Sequence, residues 1–262
     1  MNLAVAATAP FGADVLRRLA ERHDIAYLLT RPDRPKGRGR HVAAPPAKQV
    51  AEDLGIEVRQ PERPAELDDL DIDVIVAVGY GALIPEELLE QALWLNVHPS
   101  LLPRWRGAAP VERAIMAGDN ETGVSVIRLV KELDAGPIGA QSRFLIAPED
   151  DAGVVFEGAA AVTPDLVDAA LDSEDFRPQE GETTYAEKIR AADRELDWSR
   201  PAEELHNRIR ALSPHIGARA ELHGRQVIVW RSRVTDGRLE ILEVQPEGRR
   251  RMTLAEFERG LR

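Results

Sequence analysis

The sequence predicts an α/β protein: a mostly parallel sheet over its first half, then a small β-domain near its end. Three observations carry this. Short apolar runs alternate with helix-spaced segments between Leu3 and Val97. One of those runs, DVIVAVGYG (Asp73–Gly81), is apolar almost throughout, as expected of a strand buried on both faces. After Gly217 the segments are short and alternate with the period of strands.

LAVAAT (Leu3–Thr8) is the first buried strand, and ADVLRRLAER (Ala13–Arg22) sets Val15, Leu16 and Leu19 on one helical face. IAYLLT (Ile25–Thr30) is the next strand. The stretch RPDRPKGRGR (Arg31–Arg40) follows, then a helix in PAKQVAEDLG that Gly55 closes. After DVIVAVGYG comes PEELLEQAL, a helix with Pro85 in its first turn, and then the strand WLNV. Strands and helices in this alternation imply parallel pairing through right-handed crossovers. Ligands of such sheets bind beyond the carboxyl ends of the strands. The first strand-turn, AATAPFG, has no GxGxxG, so a Rossmann-like sheet does not imply a dinucleotide here. GVSVIRLV (Gly123–Val130) alternates like a strand, and ELDAGPIGAQSRFLI puts Asp134 in a turn before another. Ala152–Leu171 reads as helix with a break at Pro164. LDSEDFRPQEGETTYAEKI is polar and turn-rich, as a linker is. SRPAEELHNRIRAL (Ser199–Leu212) reads as a helix with Ser199 as N-cap, Pro201 early, and Glu203 and Glu204 in the first turn. GARAEL, QVIVWRSRV and RLEILEVQ supply the strands of the small β-domain. The resulting division is a first domain over 1–181, a linker over 182–199 and a second domain over 200–262.

Composition narrows the function. The net charge of -11 argues against a general nucleic-acid binder. The charge is uneven: Glu182–Arg262 carries 16 basic and 14 acidic residues, a net of +2, and the rest of the chain a net of -13. Within the acidic part, RPDRPKGRGR holds five basic groups and one acid. On charge alone that loop is either a solvated surface segment or a local contact for a polyanion. There is no cysteine, hence no disulfide or thiolate chemistry, which fits a cytoplasmic protein. The N-terminus lacks the basic start of a secretory signal. No apolar run is long enough to span a bilayer, so no membrane role is expected. No HExxH or comparable spacing is present, and no metal is expected.

The candidate chemistry lies in LWLNVHPSLLPRWRGAAP (Leu93–Pro110). An apolar run ends in Asn96, His98 and Ser100, each two residues after the last, so all three share one face of an extended chain. Asn96 offers an amide donor for an oxyanion, and His98 a proton shuttle near neutral pH. Asp134 stands in a glycine-flanked turn from which it can hold the imidazole. This set suits acyl transfer to an amine. No serine elbow or cysteine nucleophile is evident, which favours direct transfer. Each of these residue types also occurs at strand ends and turns for structural reasons, and that reading stays open.

NVHPSLLPRWRGAAP, then GDNETGVSV and LDAGPI, resembles the folate-dependent formyltransferases. TRPDRPKGRGR, VGYGALIP, TYAEKI, LDWSRPAEEL and PEGRRRMTLAEFERGLR extend the resemblance over nearly the whole chain and point to the branch that formylates methionyl-tRNA. The resemblance implies a small OB-like β-barrel as the second domain. It implies 10-formyltetrahydrofolate as formyl donor and the amino group of initiator methionyl-tRNA as acceptor. A monomer is expected. His98 would then assist proton transfer, Asn96 would hold the formyl oxygen, and Asp134 would position His98 and a water. Leu83, Ile84 and Pro85, with Ser100, Leu101, Leu102 and Pro103, would form the folate side, Ser100 orienting backbone rather than reacting. Arg38 would meet the acceptor stem, aided by Arg34, Lys36 and Arg40. Arg249 and Arg250, with Arg251, would offer a second patch to tRNA.

The chain departs from the family pattern at three places. Ala7 and Ala9 replace the usual glycine and proline of the first turn. His215 stands where an aromatic ring is usual. The chain runs almost directly from VWRSRV to its closing signature, which predicts a reduced barrel. Two other functions compete: N-formylation of an amino-sugar nucleotide, which has no need of the Arg31–Arg40 loop, and folate binding without catalysis.

Overall fold

The computed structural model describes residues 1–36, 41–67, 69–173 and 175–261. Its elements are β1 (Asn2–Ala7), α1 (Pro10–Ala20), β2 (Asp24–Leu29), β3 (Arg34–Lys36), β4 (His41–Ala43), α2 (Pro46–Asp53), β5 (Glu57–Arg59), β6 (Val74–Val78), α3 (Glu86–Leu89), β7 (Leu93–His98) and β8 (Arg106–Gly107). They continue with α4 (Pro110–Ala117), β9 (Glu121–Arg128), β10 (Ile138–Leu145), α5 (Ala152–Asp172), β11 (Tyr185–Ala186), α6 (Ala202–Leu212), β12 (Ala218–Leu222), β13 (Arg225–Thr235), β14 (Arg238–Pro246), β15 (Met252–Thr253) and α7 (Leu254–Arg259).

The central sheet has the order β10-β9-β7-β6-β1-β2-β5. Neighbours from β7 to β5 pair in parallel, and β9 joins β7 antiparallel. The strand order reverses at β1, between β2 and β6, which makes the loops after β1 and β6 the natural rim of a site. β1 and β6 are apolar because both their faces are covered. Trp94, Tyr27, Leu29, Leu70 and Ile75 build one core beside this sheet, and Trp94 still satisfies its indole N–H on the Leu88 carbonyl at 2.8 Å. A tryptophan buries roughly 150–250 Å². At about 25 cal/mol per Å² this burial stabilises by several kcal/mol at most.

Several local expectations are corrected. The helix expected over PEELLEQAL is only α3, because Leu93 already pairs with Val74 of β6 and the chain must leave the helix to reach that register. Pro85 is its N-cap rather than a first-turn residue. Pro164 does not break its helix: α5 runs through it, with Ala159, Ala160, Thr163 and Val167 buried around it. That packing outweighs the roughly 3 kcal/mol penalty of an interior proline. Ser199 is not a cap. Asp197 captures its hydroxyl at 2.7 Å in a turn, and α6 starts three residues later behind Pro201.

The described residues divide into two compact units. One comprises Met1–Arg106, Gly123–Arg143 and Glu157–Thr184; the other comprises Gly107–Thr122, Phe144–Phe156 and the chain from Tyr185. In the second unit, β12, β13, β14 and β15 form an antiparallel sheet in that order. The expected reduced barrel takes the form of this small sheet; among the described residues no pairing joins β12 to β15. Leu205, Ile209 and Leu212 of α6 and Phe257 of α7 pack on its Val227, Val229 and Val244. A second cluster, Val111, Ile115, Ile146, Val155 and Ala211, completes the unit's core.

Candidate active site

Asn96 and His98 stand two residues apart at the carboxyl end of β7, opposite Ile127 and Ser125 of β9. Ser125 anchors the turn that follows. Its hydroxyl donates to the Ser100 carbonyl at 2.7 Å and accepts from the Leu102 amide at 3.1 Å. Ser100 is fully buried and donates to the Arg104 carbonyl at 2.7 Å. Its hydroxyl is therefore spent on backbone.

The turn delivers Trp105 in a left-handed conformation, φ 63°. For a bulky residue this costs about 1–2 kcal/mol, and it persists because neighbours fix it. The Trp105 amide donates to Thr184 Oγ1 at 2.9 Å, and the Arg106 amide to the Thr184 carbonyl at 2.9 Å. The Trp105 carbonyl faces His98 Nε2 at 2.8 Å. A carbonyl only accepts, so Nε2 carries the hydrogen of the neutral ring and Nδ1 is its basic nitrogen.

Asp134 reaches Nδ1 from the other side. Its Oδ2 lies 3.7 Å from His98 Nδ1, and its Oδ1 accepts from Asn96 Nδ2 at 3.3 Å. His98 and Asp134 are 5% and 8% exposed, so the carboxylate is held where an unpaired charge would cost several kcal/mol. Asp134 is also left-handed, φ 48°, which aspartate tolerates better than most residues. Its own carbonyl accepts from Gln179 Nε2 at 2.7 Å, and the Gly136 carbonyl from the same nitrogen at 2.8 Å. Gly136 permits this turn: a Cβ there would lie 1.7 Å from the Arg128 carbonyl oxygen.

Asn96, His98 and Asp134 thus converge. Leu83 is 85% exposed, Ile84 packs on the sheet core, and Pro85 opens α3. The start of α3 is tied to the Asp134 loop by Lys131 Nζ and Glu86 Oε2 at 3.1 Å, and Leu133 on that loop is 65% exposed. Leu101 is half-buried, whereas Leu102 and Pro103 are buried. At the switch point, Thr8 Oγ1 donates to the Tyr80 carbonyl at 2.9 Å, and Arg31 donates to the Gly81 carbonyl at 3.2 Å. The Ala7 methyl is accommodated against Gly12, where a Cβ would fall 2.8 Å from it.

Arg34 and Lys36 lie in β3, which pairs with β4 as a two-stranded ribbon; Arg34 meets Glu62 at 2.7 Å. Arg38 and Arg40 lie outside the described residues. Arg249 and Arg250 are exposed. Arg251 is not part of a simple charge run: it stacks on Trp230 at 3.6 Å and donates to the Pro214 carbonyl at 2.8 Å. Among the described residues no cluster of side chains suits a metal ion, and no helix is long and apolar enough to cross a membrane.

Sequence reasoning missed the Trp105 carbonyl, Ser125, Thr184 and Gln179. Ser125 left a trace, as the lone hydroxyl in the run Gly123–Ile127. A left-handed tryptophan leaves none, and Gln179 and Thr184 are hidden among the polar residues of a supposed linker.

Known proteins resemble this chain along its whole length. Residues 1–167 match the family model described as formyl transferase, and residues 188–237 its C-terminal domain. A protein of Paracoccus denitrificans named methionyl-tRNA formyltransferase is 40% identical over 293 aligned positions, covering 100% of this chain and 98% of that protein. Against the 262 residues here, that alignment leaves a shortfall of 31. Among solved structures, methionyl-tRNA formyltransferase from Clostridium thermocellum superposes with a TM-score of 0.66 at 15% identity, covering 94% of this chain and 98% of that one. HypX from Aquifex aeolicus in complex with tetrahydrofolic acid gives 0.68 at 18% identity, with 98% of this chain matched to 46% of that one, so the chain spans about half of HypX. These two structures share the fold, and the 40% identity over the full chain fixes the family: the chain belongs to the methionyl-tRNA formyltransferases.

Proposed function

We propose that this enzyme transfers the formyl group of 10-formyltetrahydrofolate to the α-amino group of methionine on initiator tRNA. The observation that carries the reading is the convergence of Asn96, His98 and Asp134 with the Nε2 hydrogen committed to the Trp105 carbonyl. The donor supplies an activated formyl carbon. As the amine attacks it, His98 Nδ1 takes the amine proton, and the imidazolium so formed faces Asp134 Oδ2. Asn96 has two amide hydrogens. One is held by Asp134, and the other serves the formyl oxygen as it becomes an oxyanion. Collapse returns the proton from His98 to the departing folate nitrogen, leaving tetrahydrofolate and formylmethionyl-tRNA.

Exposed Leu83 and Leu133, on loops tied by Lys131 and Glu86, suit a flat, partly apolar ring system. Ile84, Pro85 and Leu101 complete that wall, while Ser100, Leu102 and Pro103 shape it from within. Arg34, Lys36, Arg38 and Arg40 supply positive charge for the acceptor end, where phosphate replaces Glu62 as the partner of Arg34. Arg249 and Arg250 add backbone contacts from residues 200–262.

The test is single-turnover transfer from 10-formyltetrahydrofolate to charged initiator tRNA, wild type beside His98→Ala. Transfer that collapses in the variant is expected. Wild-type protein that leaves the tRNA unformylated but formylates an amino-sugar nucleotide would sink the reading.

A further inference from the structure

One side chain joins the two loops on either side of His98. Gln179 Oε1 accepts from Arg106 Nε at 3.0 Å and Arg106 Nη2 at 2.6 Å, and Arg106 is the neighbour of the Trp105 carbonyl that fixes Nε2. Gln179 Nε2 donates to the Asp134 carbonyl at 2.7 Å and the Gly136 carbonyl at 2.8 Å, on the loop that presents the carboxylate to Nδ1. All four contacts are 3.0 Å or shorter, and an amide is the one side-chain group that accepts N–H bonds at one end while donating two at the other. Thr184, five residues on, holds Trp105 and Arg106 through its hydroxyl and carbonyl, and its amide donates to the Pro103 carbonyl at 3.3 Å. Gln179–Thr184 is therefore a strap bonded to both loops of the site.

We propose that Gln179 is a positioning residue: its amide clamps the Trp105 and Asp134 loops together and so fixes the tautomer of His98 and the approach of Asp134. It touches no reacting atom. Both loops carry a left-handed residue, so each holds strain that the clamp opposes. Without it, the Trp105 carbonyl and the Asp134 carboxylate drift independently, and the ring loses the commitment of its hydrogen to Nε2. Displacing a catalytic group by about 1 Å costs on the order of 100-fold in rate.

The rate readout rests on the formyl-transfer reading above; the spectroscopic one does not. The experiment compares wild type, Gln179→Leu and Gln179→Glu. Two quantities are measured: the 15N chemical shifts of the His98 ring and the single-turnover rate of formyl transfer. Wild type should show Nε2 protonated. Both variants should mix the tautomers and lose about 100-fold in rate, with KM for tRNA and folate within about threefold. Gln179→Glu keeps the volume and the acceptor for Arg106 but turns an acceptor toward the Asp134 and Gly136 carbonyls, so it reports the clamp even if the leucine variant does not fold. Unchanged His98 shifts in the folded variants overturn the proposal, as does a rate within about threefold of wild type. If wild-type protein formylates no tRNA, the functional reading fails while the tautomer measurement still decides the clamp.

Discussion

The site at the end of β7 and the arginine-rich end of the chain are built on opposite terms. Around His98, polar groups that are buried (His98, Asp134, Ser100, Ser125) or half-buried (Asn96, Gln179) are each fixed by at least one other, so one change propagates to its neighbours. Between β14 and β15, Arg249 and Arg250 are exposed, whereas Arg251 has its guanidinium stacked on Trp230. The lesson is that geometry is over-determined in the partly buried site around His98 and loosely specified at the exposed arginines. Adjacency in sequence does not give Arg251 the surroundings of its neighbours.

The sharpest way to break the contrast is His98→Ala, expected to lower the single-turnover rate by about 10²–10⁴ while leaving tRNA affinity unchanged. If affinity fell and the rate held, the site would be a binding surface after all. Gly136→Ala comes next. Its Cβ would meet the Arg128 carbonyl at 1.7 Å, so the Asp134 loop must move; about 100-fold of rate should go, read with the melting temperature beside it. Arg251→Ala should cost about 1–2 kcal/mol, from a cation–π contact and a hydrogen bond, and lower Tm by a few degrees without altering the salt dependence of tRNA binding. Arg249→Ala and Arg250→Ala should do the reverse: unchanged Tm, several-fold weaker binding, and a log Kd against log salt slope reduced by about 0.9 for each phosphate lost.

The smallest effect belongs to His23. Burial pushes its imidazole below the ordinary range, although Asp168 Oδ1 lies 3.0 Å from Nε2. The unfolded chain therefore binds the proton first. The contribution of His23 to stability is full above the unfolded value of about 6.5 and declines as pH falls toward the lower folded one. His23→Gln should flatten the fall in urea midpoint between about pH 7.5 and 5.5. An unchanged slope would assign that fall to other groups.

Much of this was legible in the residues. Periodicity located β1, β2, β6, β7, β9 and β10, because a strand's apolar pattern is local information. The i, i+2 spacing put Asn96 and His98 on one face for the same reason. Where a local signal met a competing contact, the contact won. Asp197 took the hydroxyl of Ser199, β6 took Leu93 out of the expected helix, and buried neighbours carried α5 through Pro164.

The sequence by itself determined the alternating α/β plan, the face on which the amide and imidazole stand, and, through motifs spread along the chain, the family. Only the tertiary structure decided which nitrogen of His98 holds its hydrogen, that Asp134 lies across from the other, and that Gln179 and Thr184 strap the two loops in place. The physical reason is range. Backbone periodicity is set by a residue and its near neighbours, whereas the Gln179 contacts close over 43 to 73 residues and exist only once the sheet has brought those loops together.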